Sequence, residues 1–352
     1  MQLLVTGHLG YVGSVLLPML LQRGHRVRGI DSGLFEGCAV GPRPRISGLQ
    51  KDVRDVEPAD LEGFDGLIHL AGLSNDPMGE LDPQQTYDIN YHGAARLAEM
   101  AKAVGIKRFV MASSCSVYGA AGDDLVDEQS EPAPVTSYAK SKVLAEADIS
   151  ALTDEQFHAV ILRPATVYGP SPMIRFDLAV NNLVAWALTT HKVLLKSDGQ
   201  AWRPFIHVDD LARAFVDAVE IERADPCTVL NVGFTQENYR IRQIADFVAN
   251  AVPEARVEFQ AGALHDTRNY RVSFERLEAL SPDWQPRWTC ESGAQQLASE
   301  VSRLNLSETD FEGPRFNRVD RLRRMLETGE ISTDMRRAET VQRPKAPAVA
   351  SN

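Results

Sequence analysis

The sequence predicts an α/β fold, with a doubly wound parallel sheet and a smaller mixed α/β lobe. Short apolar segments alternate with longer helical patterns through the first half of the chain. This order is typical of a parallel sheet with helices on both faces. A glycine-rich turn follows the first apolar segment. After about Pro164 the alternation gives way to a mixed order of helices and short strands, which indicates the second lobe.

The elements of the first half are placed by their hydrophobic patterns. The predicted strands, all short and apolar, are Leu3–Thr6, Arg26–Ile30, Gly66–Leu70, Arg108–Ser113 and Phe157–Arg163. The predicted helices between them are Val12–Gln22, Pro83–Val104 and Ser137–Ala151. Parallel sheets of this kind bind ligands at the carboxyl ends of their strands, so residues directly after strands are the first candidates for a site.

The second half is predicted to contain helices at Phe176–Thr190, Asp209–Val219 and Arg240–Val252. Its predicted strands are Val193–Leu195, Phe205–Val208, Thr228–Val232 and Arg256–Phe259. We therefore expect a first domain at residues 1–165, completed by segments near 203–234, and an interleaved second lobe at 166–330. Residues 331–352, which are rich in Pro and Ala from Thr340 onward, are predicted to be a disordered tail.

Composition restricts the possible partners and compartment. Of 352 residues, 44% are hydrophobic and 24% charged, which is ordinary for a globular protein. The net charge of −11 disfavours binding to nucleic acid or to anionic membranes. No apolar run approaches the ~20 residues of a membrane span, and the first residues enter a strand without a signal-peptide pattern. We expect a cytoplasmic protein that binds neither nucleic acid nor membrane.

Cysteine and histidine spacing gives no sign of a metal site. The four cysteines lack a CxxC pair, and the eight histidines are scattered without an HExxH motif. Unpaired cysteines suit a reducing compartment. We expect no catalytic metal.

The glycine turn has the spacing of a dinucleotide-binding motif. Residues 6–13 read TGHLGYVG, between a predicted strand and a predicted helix. Such spacing permits a tight turn and close approach of backbone to a pyrophosphate at the helix N-terminus. We therefore predict a Rossmann-type domain, although a turn that serves packing alone would have the same glycines. The predicted contacts come from Gly7, Gly10, Tyr11, Val12 and Gly13.

The next strand ends favour NAD over NADP. Asp31 ends the second strand, where a carboxylate can accept both adenosine-ribose hydroxyls and would repel a 2′-phosphate. Arg28 points to the opposite side of that strand. Asp52 and Val53 follow a further strand-like segment and are expected near the adenine, unless Asp52 is only a loop residue. Three small or apolar residues at the fourth strand end are expected to border the cofactor, namely Leu70, Ala71 and Gly72.

A candidate catalytic group follows the next strand. Tyr138 and Lys142 lie one helical turn apart, and Ser114 lies 24 residues before Tyr138 at a strand end. Oxidation of a carbinol requires a base for the hydroxyl proton. A free tyrosine has a pKa of about 10, which the Lys142 ammonium and a positive nicotinamide would lower. Ser114 would bind the same substrate oxygen. Each of these three residues alone could have a purely structural role, so the prediction of a catalytic group depends on their combination.

These motifs together resemble a known family. The segments TGHLGYVG, LAGLSND, SSCSVYG, YAKSK and RPATVYGP are similar to successive signatures of extended short-chain dehydrogenases/reductases, in the NDP-sugar epimerase/dehydratase family. The resemblance covers about Met1–Arg287. It implies Ser114, Tyr138 and Lys142 as a catalytic triad, with Lys142 also holding the nicotinamide ribose. It further implies an NAD retained through turnover, and often a homodimer built from two helices per subunit.

The resemblance also implies a nucleotide-diphosphate sugar as substrate. Arg203, in WRPFIHVDD, resembles a family arginine that binds phosphate. Arg268 lies near the position of a second phosphate-binding arginine. Whether Arg175 also binds the substrate or is a surface residue is left open. Pro164, in the RPATVYGP segment, is also predicted to contact the cofactor. The complete predicted substrate set is Ser74, Ser114, Cys115, Ser116, Thr166, Asn182, Leu183, Arg203 and Arg268.

Several reactions are compatible with this resemblance. The family's 4,6-dehydratases carry Asp-Glu where this chain has Cys115 and Ser116, so ordinary dehydration is disfavoured. Cys115 is either a thiol acid/base or a small residue packed at a strand end. C4 epimerisation through a transient 4-keto sugar needs only the triad and NAD. Galactose epimerases have lysine where this chain has Ser74, so an unusual sugar is plausible. A reductase, a decarboxylase, an atypical dehydratase and a non-catalytic nucleotide-binding sensor are the alternatives.

Overall fold

The fold is described by a computed structural model for residues 1–221, 225–264, 266, 268–281 and 283–338. Its strands, numbered in chain order, are β1 (Gln2–Thr6), β2 (Arg26–Asp31), β3 (Gly48–Gln50), β4 (Gly66–His69), β5 (Arg108–Ala112), β6 (Leu125–Val126), β7 (His158–Pro164), β8 (Thr166–Tyr168), β9 (Lys192–Ser197), β10 (Trp202–His207), β11 (Cys227–Val232), β12 (Asn238–Arg240), β13 (Arg256–Leu264) and β14 (Arg271–Val272). Its α-helices are α1 (Gly13–Gln22), α2 (Pro58–Leu61), α3 (Asp76–Gly79), α4 (Pro83–Tyr87), α5 (Gly93–Ala103), α6 (Ser137–Leu152), α7 (Ala179–Thr190), α8 (Val208–Glu220), α9 (Ile241–Ala251), α10 (Glu275–Leu280), α11 (Cys290–Ser302), α12 (Glu308–Phe311) and α13 (Arg318–Glu327).

The main sheet has seven strands in the order β11-β7-β5-β4-β1-β2-β3, and every neighbouring pair is parallel. Strand β1 lies near the middle, with Val5 opposite Gly29 on one side and Ile68 on the other. Apolar side chains cover both faces of the sheet, and helices pack on each of them. The predicted doubly wound parallel α/β fold is confirmed.

Strand β11 comes from the second half of the chain but pairs with β7 in the main sheet. Helix α8, which precedes it, packs Leu211 and Phe215 into the same apolar cluster as Leu16 and Leu20 of α1. The second half therefore returns to the first domain before the chain continues. Smaller sheets, β12-β10-β8, β13-β9 and β14-β6, lie beside it with a third apolar cluster formed mainly by α7, α9 and α11.

Two helices shape the cleft side of the main sheet. The predicted helix at 83–104 is continuous, but Asp88–His92 forms a π-helical turn between α4 and α5. Asn90 in this turn is buried and binds both the backbone N–H and C=O of Leu73, 2.8 and 2.9 Å away. Helix α6 begins after Thr136, whose hydroxyl accepts a hydrogen bond from the Ala139 N–H at 3.2 Å. This cap places Tyr138 in the first turn of α6.

The C-terminal region packs on the first domain. Ile331 and Met335 are buried in the same cluster as Leu34, and Ile331 pairs with Arg337. The prediction of a disordered tail is therefore wrong for residues 331–338, because their apolar side chains bury surface against that domain. Residues 339–352 of the predicted tail lie outside the described residues.

Among the helices of the described residues, none has the length and apolar character needed to cross a bilayer.

Candidate active site

A cavity of about 520 Å³ opens at the carboxyl ends of the central strands. Most of the site residues expected from the sequence border it, namely Gly7, Gly10, Tyr11, Val12, Gly13, Asp31, Asp52, Val53, Leu70, Ala71, Gly72, Ser74, Ser114, Ser116, Tyr138, Lys142, Pro164, Thr166, Arg203 and Arg268. Parallel strands bring their carboxyl ends to one edge of the sheet, so residues far apart in sequence meet there.

The glycine turn fits a dinucleotide. Gly7 has a φ of 71°, and a Cβ added there would lie 2.7 Å from the backbone nitrogen of Ala71. A Cβ on Gly13 would lie 2.6 Å from the carbonyl oxygen of Gly7. Side chains would therefore fill the space between β1, β4 and the start of α1. Glycine at these two positions lets the turn, β4 and the start of α1 pack closely, and the first residue of α1, Gly13, borders the cavity where a helix N-terminus can bind a pyrophosphate.

Asp31 is held at the cavity wall by the backbone. Its two carboxylate oxygens accept hydrogen bonds from the N–H groups of Leu9, at 3.0 Å, and Gly33, at 2.8 Å. A carboxylate has about four acceptor positions, so capacity for the two hydroxyls of a ribose is left. Asp31 thus fits an adenosine ribose without a 2′-phosphate.

Asp52 borders the cavity but is also bound locally. Arg54 donates to it from Nε, at 2.9 Å, and from Nη2, at 2.8 Å. Burial raises the pKa of the Asp52 carboxyl, and the Arg54 hydrogen bonds and charge outweigh this effect and lower it. Asp52 is therefore an ionised residue that orders its own loop, and its neighbour Val53 offers an apolar surface to the cavity.

Tyr138 lies across the cavity from the glycine turn. Burial raises the pKa of its phenol to about 12, and the charge of Asp76 acts in the same direction. A hydrogen bond with Ser114 and the charge of Arg175 lower it. We expected Lys142 to lower this pKa, but the lowering comes from Ser114 and Arg175.

Lys142 is buried behind Tyr138. Its ammonium donates to the backbone carbonyl of Ala112 at 2.8 Å and lies 5.8 Å from the centre of the Tyr138 ring. Burial lowers the pKa of Lys142 to about 8, while the charge of Glu146 raises it. The structure thus brings Ser114, Tyr138 and Lys142 to one wall of the cavity, with the lysine still largely protonated at neutral pH.

Asp76 is a site residue that sequence reasoning missed. It accepts hydrogen bonds from the Thr136 hydroxyl, at 2.7 Å, and from Arg268, at 2.5 Å, and it borders the cavity. Its place at the end of the LAGLSND segment was the available signal. The negative charge of Asp76 raises the pKa of Tyr138 and so disfavours the phenolate form.

This placement predicts a pH shift in the Asp76→Asn variant. Tyr138 acts as a base only when deprotonated, so activity rises as the pH passes through its pKa. Removing a negative charge that raises this pKa is expected to move the rise in kcat/KM to lower pH. Glu80→Gln is a matched control, because Glu80 caps the same region of α6 through the Ser137 N–H without affecting the Tyr138 pKa. An unchanged profile, or a shift to higher pH, would contradict this role of Asp76.

The two predicted phosphate arginines share one carboxylate. Arg203 and Arg268 both donate to Asp266 Oδ2, at 3.0 and 2.9 Å, and Arg203 also bonds the Arg268 carbonyl. The Arg203 guanidinium lies 5.0 Å from the centre of the Tyr270 ring. Two guanidinium groups with a shared counter-ion at the cavity wall are suited to binding phosphate oxygens.

Arg175 also borders the cavity, whereas the sequence had left the role of this residue open. It forms a bidentate ion pair with Asp177, with distances of 2.8 and 2.9 Å, and donates to the Ser74 hydroxyl at 2.6 Å. Both Arg175 and Asp177 are missing from the predicted site. Their segment, after β8, has no pattern that predicts its path over the cleft.

Three predicted substrate residues do not border the cavity. Cys115 is buried, and its thiol donates a hydrogen bond to the Arg163 carbonyl at 3.1 Å. Burial raises the pKa of this thiol well above its usual value. Asn182 donates to the Phe176 carbonyl at 2.8 Å, and Leu183 packs in the third apolar cluster. Both lie inside α7, whose first residue, Ala179, reaches the cavity instead. For Cys115 the geometry favours the packed-residue alternative.

The four cysteines are free thiols. Within the described ranges there is also no group of three or more His, Cys, Asp or Glu side chains arranged to hold a metal ion.

Comparisons with known proteins identify the family of this chain. Residues 3–233 match the NAD dependent epimerase/dehydratase family. The chain is 30% identical over 308 residues to a UDP-glucose 4-epimerase of Mycolicibacterium smegmatis, covering 83% of this chain and 96% of that protein. It is 27% identical over 330 residues to UDP-glucuronic acid decarboxylase 1 of Arabidopsis thaliana, covering 89% and 72%. The solved structure of MoeE5 in complex with UDP-glucuronic acid and NAD shares the fold, with a TM-score of 0.75, 24% identity and coverage of 86% and 99%.

The family is NAD dependent, and the glycine turn and Asp31 fit that cofactor. The chain belongs to the NAD dependent epimerase/dehydratase family, and NAD is its cofactor.

Proposed function

We propose that this protein is a nucleotide-sugar epimerase that inverts C4 of the sugar through a transient 4-keto intermediate. The observation that carries the proposal is that Ser114, Tyr138 and Lys142 border one cavity together with the dinucleotide turn, with the Lys142 ammonium 5.8 Å from the centre of the Tyr138 ring. Such a base beside a hydride acceptor is what reversible oxidation of a carbinol requires.

In the proposed mechanism Tyr138 removes the proton from the C4 hydroxyl and later returns it to the same oxygen. NAD, which the glycine turn and Asp31 would hold, would supply the acceptor and the donor of the C4 hydride, and its return to the opposite face of the sugar would invert C4 without net redox change. Ser114 donates to the C4 oxygen as its charge changes. Ser114 and the charge of Arg175 favour the phenolate form of Tyr138, and Lys142 is proposed to hold the nicotinamide ribose.

The substrate is proposed to be an NDP-sugar. Arg203 and Arg268 are placed to bind its diphosphate, exchanging Asp266 for phosphate oxygens. Ser74, Ser116 and Thr166 border the remaining space and offer hydroxyls to the sugar. The relatives include proteins named as epimerases and as decarboxylases, so the reaction is the part of the proposal that most needs a test.

Epimerisation is favoured over dehydration by the residues after Ser114. Elimination of water needs an acid and a base beside the oxidised sugar. Cys115 is turned away and has a raised pKa, and Ser116 is a weak acid whose hydroxyl is bonded to Ser114 at 2.9 Å. The triad itself supports epimerisation without either residue.

The test is a panel of UDP-, GDP-, CDP- and dTDP-sugars, incubated with the purified protein and followed by NMR. A C4 epimer formed at constant absorbance at 340 nm supports the proposal. Release of carbon dioxide, loss of water or accumulation of NADH would instead assign a decarboxylase, a dehydratase or a net oxidoreductase. Tight nucleotide binding without turnover of any sugar would favour the sensor alternative.

The ribose contact of Asp31 gives a second prediction. Asp31→Ala removes the carboxylate that fits the ribose hydroxyls and repels a 2′-phosphate. We expect weaker NAD binding and a smaller ratio of NAD to NADP affinity, measured by titration of the apoprotein. Because Asp31 also holds Leu9 and Gly33, loop disorder would weaken both cofactors equally. An unchanged ratio would therefore count against the ribose contact.

We also propose that residues 1–165 with 203–234 bind NAD, and that residues 166–330 bind the sugar nucleotide. We propose in addition that the protein is a homodimer, which the family resemblance supports, and that it is cytoplasmic, which the unpaired cysteines support. Leu144, which is 41% exposed on α6, is a suitable interface residue. Sedimentation equilibrium of the protein and of Leu144→Glu tests the dimer.

A further inference from the structure

The C-terminal arm, defined as residues 314–338, lies along the loop that follows Asp31. Arg315 and Arg321 donate to the carbonyls of Ala39, at 3.2 Å, and Leu34, at 3.1 Å. Arg337 donates to the Gly33 carbonyl. This loop borders the dinucleotide half of the cavity. The arm therefore holds one wall of the cofactor site from outside.

Arg318, the first residue of α13, extends from the arm to the cavity. Its exposure is only 3%, and its guanidinium lies 4.7 Å from the centre of the Phe35 ring. Nη2 has one long hydrogen bond, 3.4 Å, to the Met173 carbonyl, and Nη1 has no hydrogen-bond partner within the described part of the chain. A buried, unsatisfied cationic donor is costly. Arg318 and Phe35 both border the cavity, so a ligand there can supply the missing acceptor.

The charges around Arg318 indicate an anion. Of the cations that border the cavity, Lys51 is paired with Asp60 at 2.7 Å, and Arg203 and Arg268 share Asp266. Arg318 forms no ion pair within the described ranges. Burial lowers the pKa of its guanidinium and Cys38 raises it, while the charge of Arg175 lowers it and the charge of Asp177 raises it. The adjacent glycine turn, TGHLGYVG, contains no lysine or arginine of its own. Arg318 is therefore a buried cation at the cavity wall whose Nη1 can donate to an anionic ligand.

We propose that Arg318 is a dinucleotide-binding residue whose guanidinium binds the pyrophosphate of NAD, so that the C-terminal arm helps to retain the cofactor. The phosphate group is favoured over the ribose because Arg318 needs an acceptor with negative charge. The dinucleotide is favoured over the sugar nucleotide because Phe35 and the loop after Asp31 lie on the adenosine side. The inference depends on NAD as cofactor, and it is independent of which sugar reaction is catalysed.

The test compares Arg318→Met with Arg323→Met in the apoprotein. Arg323 lies exposed on the same helix, where it pairs with Asp320 at 3.1 Å, so it controls for charge and helix. Affinities for NAD, ADP, adenosine and UDP are measured by calorimetry. In Arg318→Met we expect NAD and ADP to bind about tenfold more weakly or worse, since hydrogen bonds to charged groups have effects of this size. Adenosine and UDP affinities are expected to stay unchanged.

Thermal unfolding separates ligand binding from a structural role. Without NAD, Arg318→Met should be at least as stable as the original protein, because an unsatisfied buried donor is removed. The Tm gain on adding NAD should be smaller in the variant. A lower Tm of the apo variant, an unchanged NAD affinity, or a loss of UDP rather than ADP affinity would each overturn the proposal. Should the original protein bind NAD and yet convert no sugar, the proposed reaction fails and the Arg318 inference is still tested.

Discussion

Tyr138→Phe is expected to lower kcat by about 10²–10⁴-fold, the usual contribution of a general base. The phenol is the group that exchanges a proton with the C4 hydroxyl in the proposed reaction, and phenylalanine keeps the ring that covers the Lys142 ammonium. Steady-state turnover of the identified NDP-sugar measures the effect. NAD affinity and Tm should change little.

Tyr91→Phe is the matched control for this substitution. Tyr91 also donates its hydroxyl to a side chain, that of Asp148 at 2.9 Å, but it does not border the cavity. Its variant should retain full activity. If Tyr138→Phe were as active as Tyr91→Phe, the phenol of Tyr138 would not be the base.

Gly7→Ala is expected to abolish measurable NAD binding and to destabilise the first domain. The residue has a φ of 71°, and the new Cβ would lie 2.7–2.9 Å from backbone atoms of Leu70 and Ala71. A side chain could rotate to relieve this contact, but backbone atoms cannot. The glycine turn or the end of β4 must therefore shift. The left-handed conformation alone costs an alanine about 1–2 kcal/mol. Tm and NAD titration measure the two effects.

Gly24→Ala isolates the effect of backbone conformation from the effect of crowding. Gly24 has a φ of 80°, but nothing lies within 4 Å of its added Cβ. Its variant should lose stability only through the positive φ and should bind NAD normally. Equal losses of stability in the two variants would show that the contact of Gly7 with β4 is not tight.

The sequence predicted the cofactor half of the cleft better than the substrate half. The glycine turn, Asp31 and the strand ends that follow are local patterns, since each depends on neighbouring residues in one βα unit. Cys115 and Ser116 show the limit of such reasoning. They are adjacent in sequence, but the short helical turn after Ser114 directs one side chain to Arg163 and the other to the cavity.

The fold also sets the pKa of the Tyr138 phenol. The sequence indicated a lysine one turn from Tyr138, yet besides burial the groups that shift the pKa of the phenol are Asp76, Ser114 and Arg175. Asp76 begins the short helix α3, and Arg175 lies in the segment between β8 and α7; the course of both segments over the cleft has no periodic signal. Their electrostatic effects depend on distance and burial, which sequence spacing does not provide.

By itself the sequence determined the doubly wound sheet and the dinucleotide turn, because hydrophobic periodicity and glycine positions act through neighbouring residues. Tertiary structure alone brought Arg268 to Asp76, which is 192 residues away, and Arg318 to the wall of the cofactor site. Contacts of this kind are set by how the two lobes and the C-terminal arm pack. Packing depends on the complementary shape and charge of distant surfaces, and no local pattern encodes it.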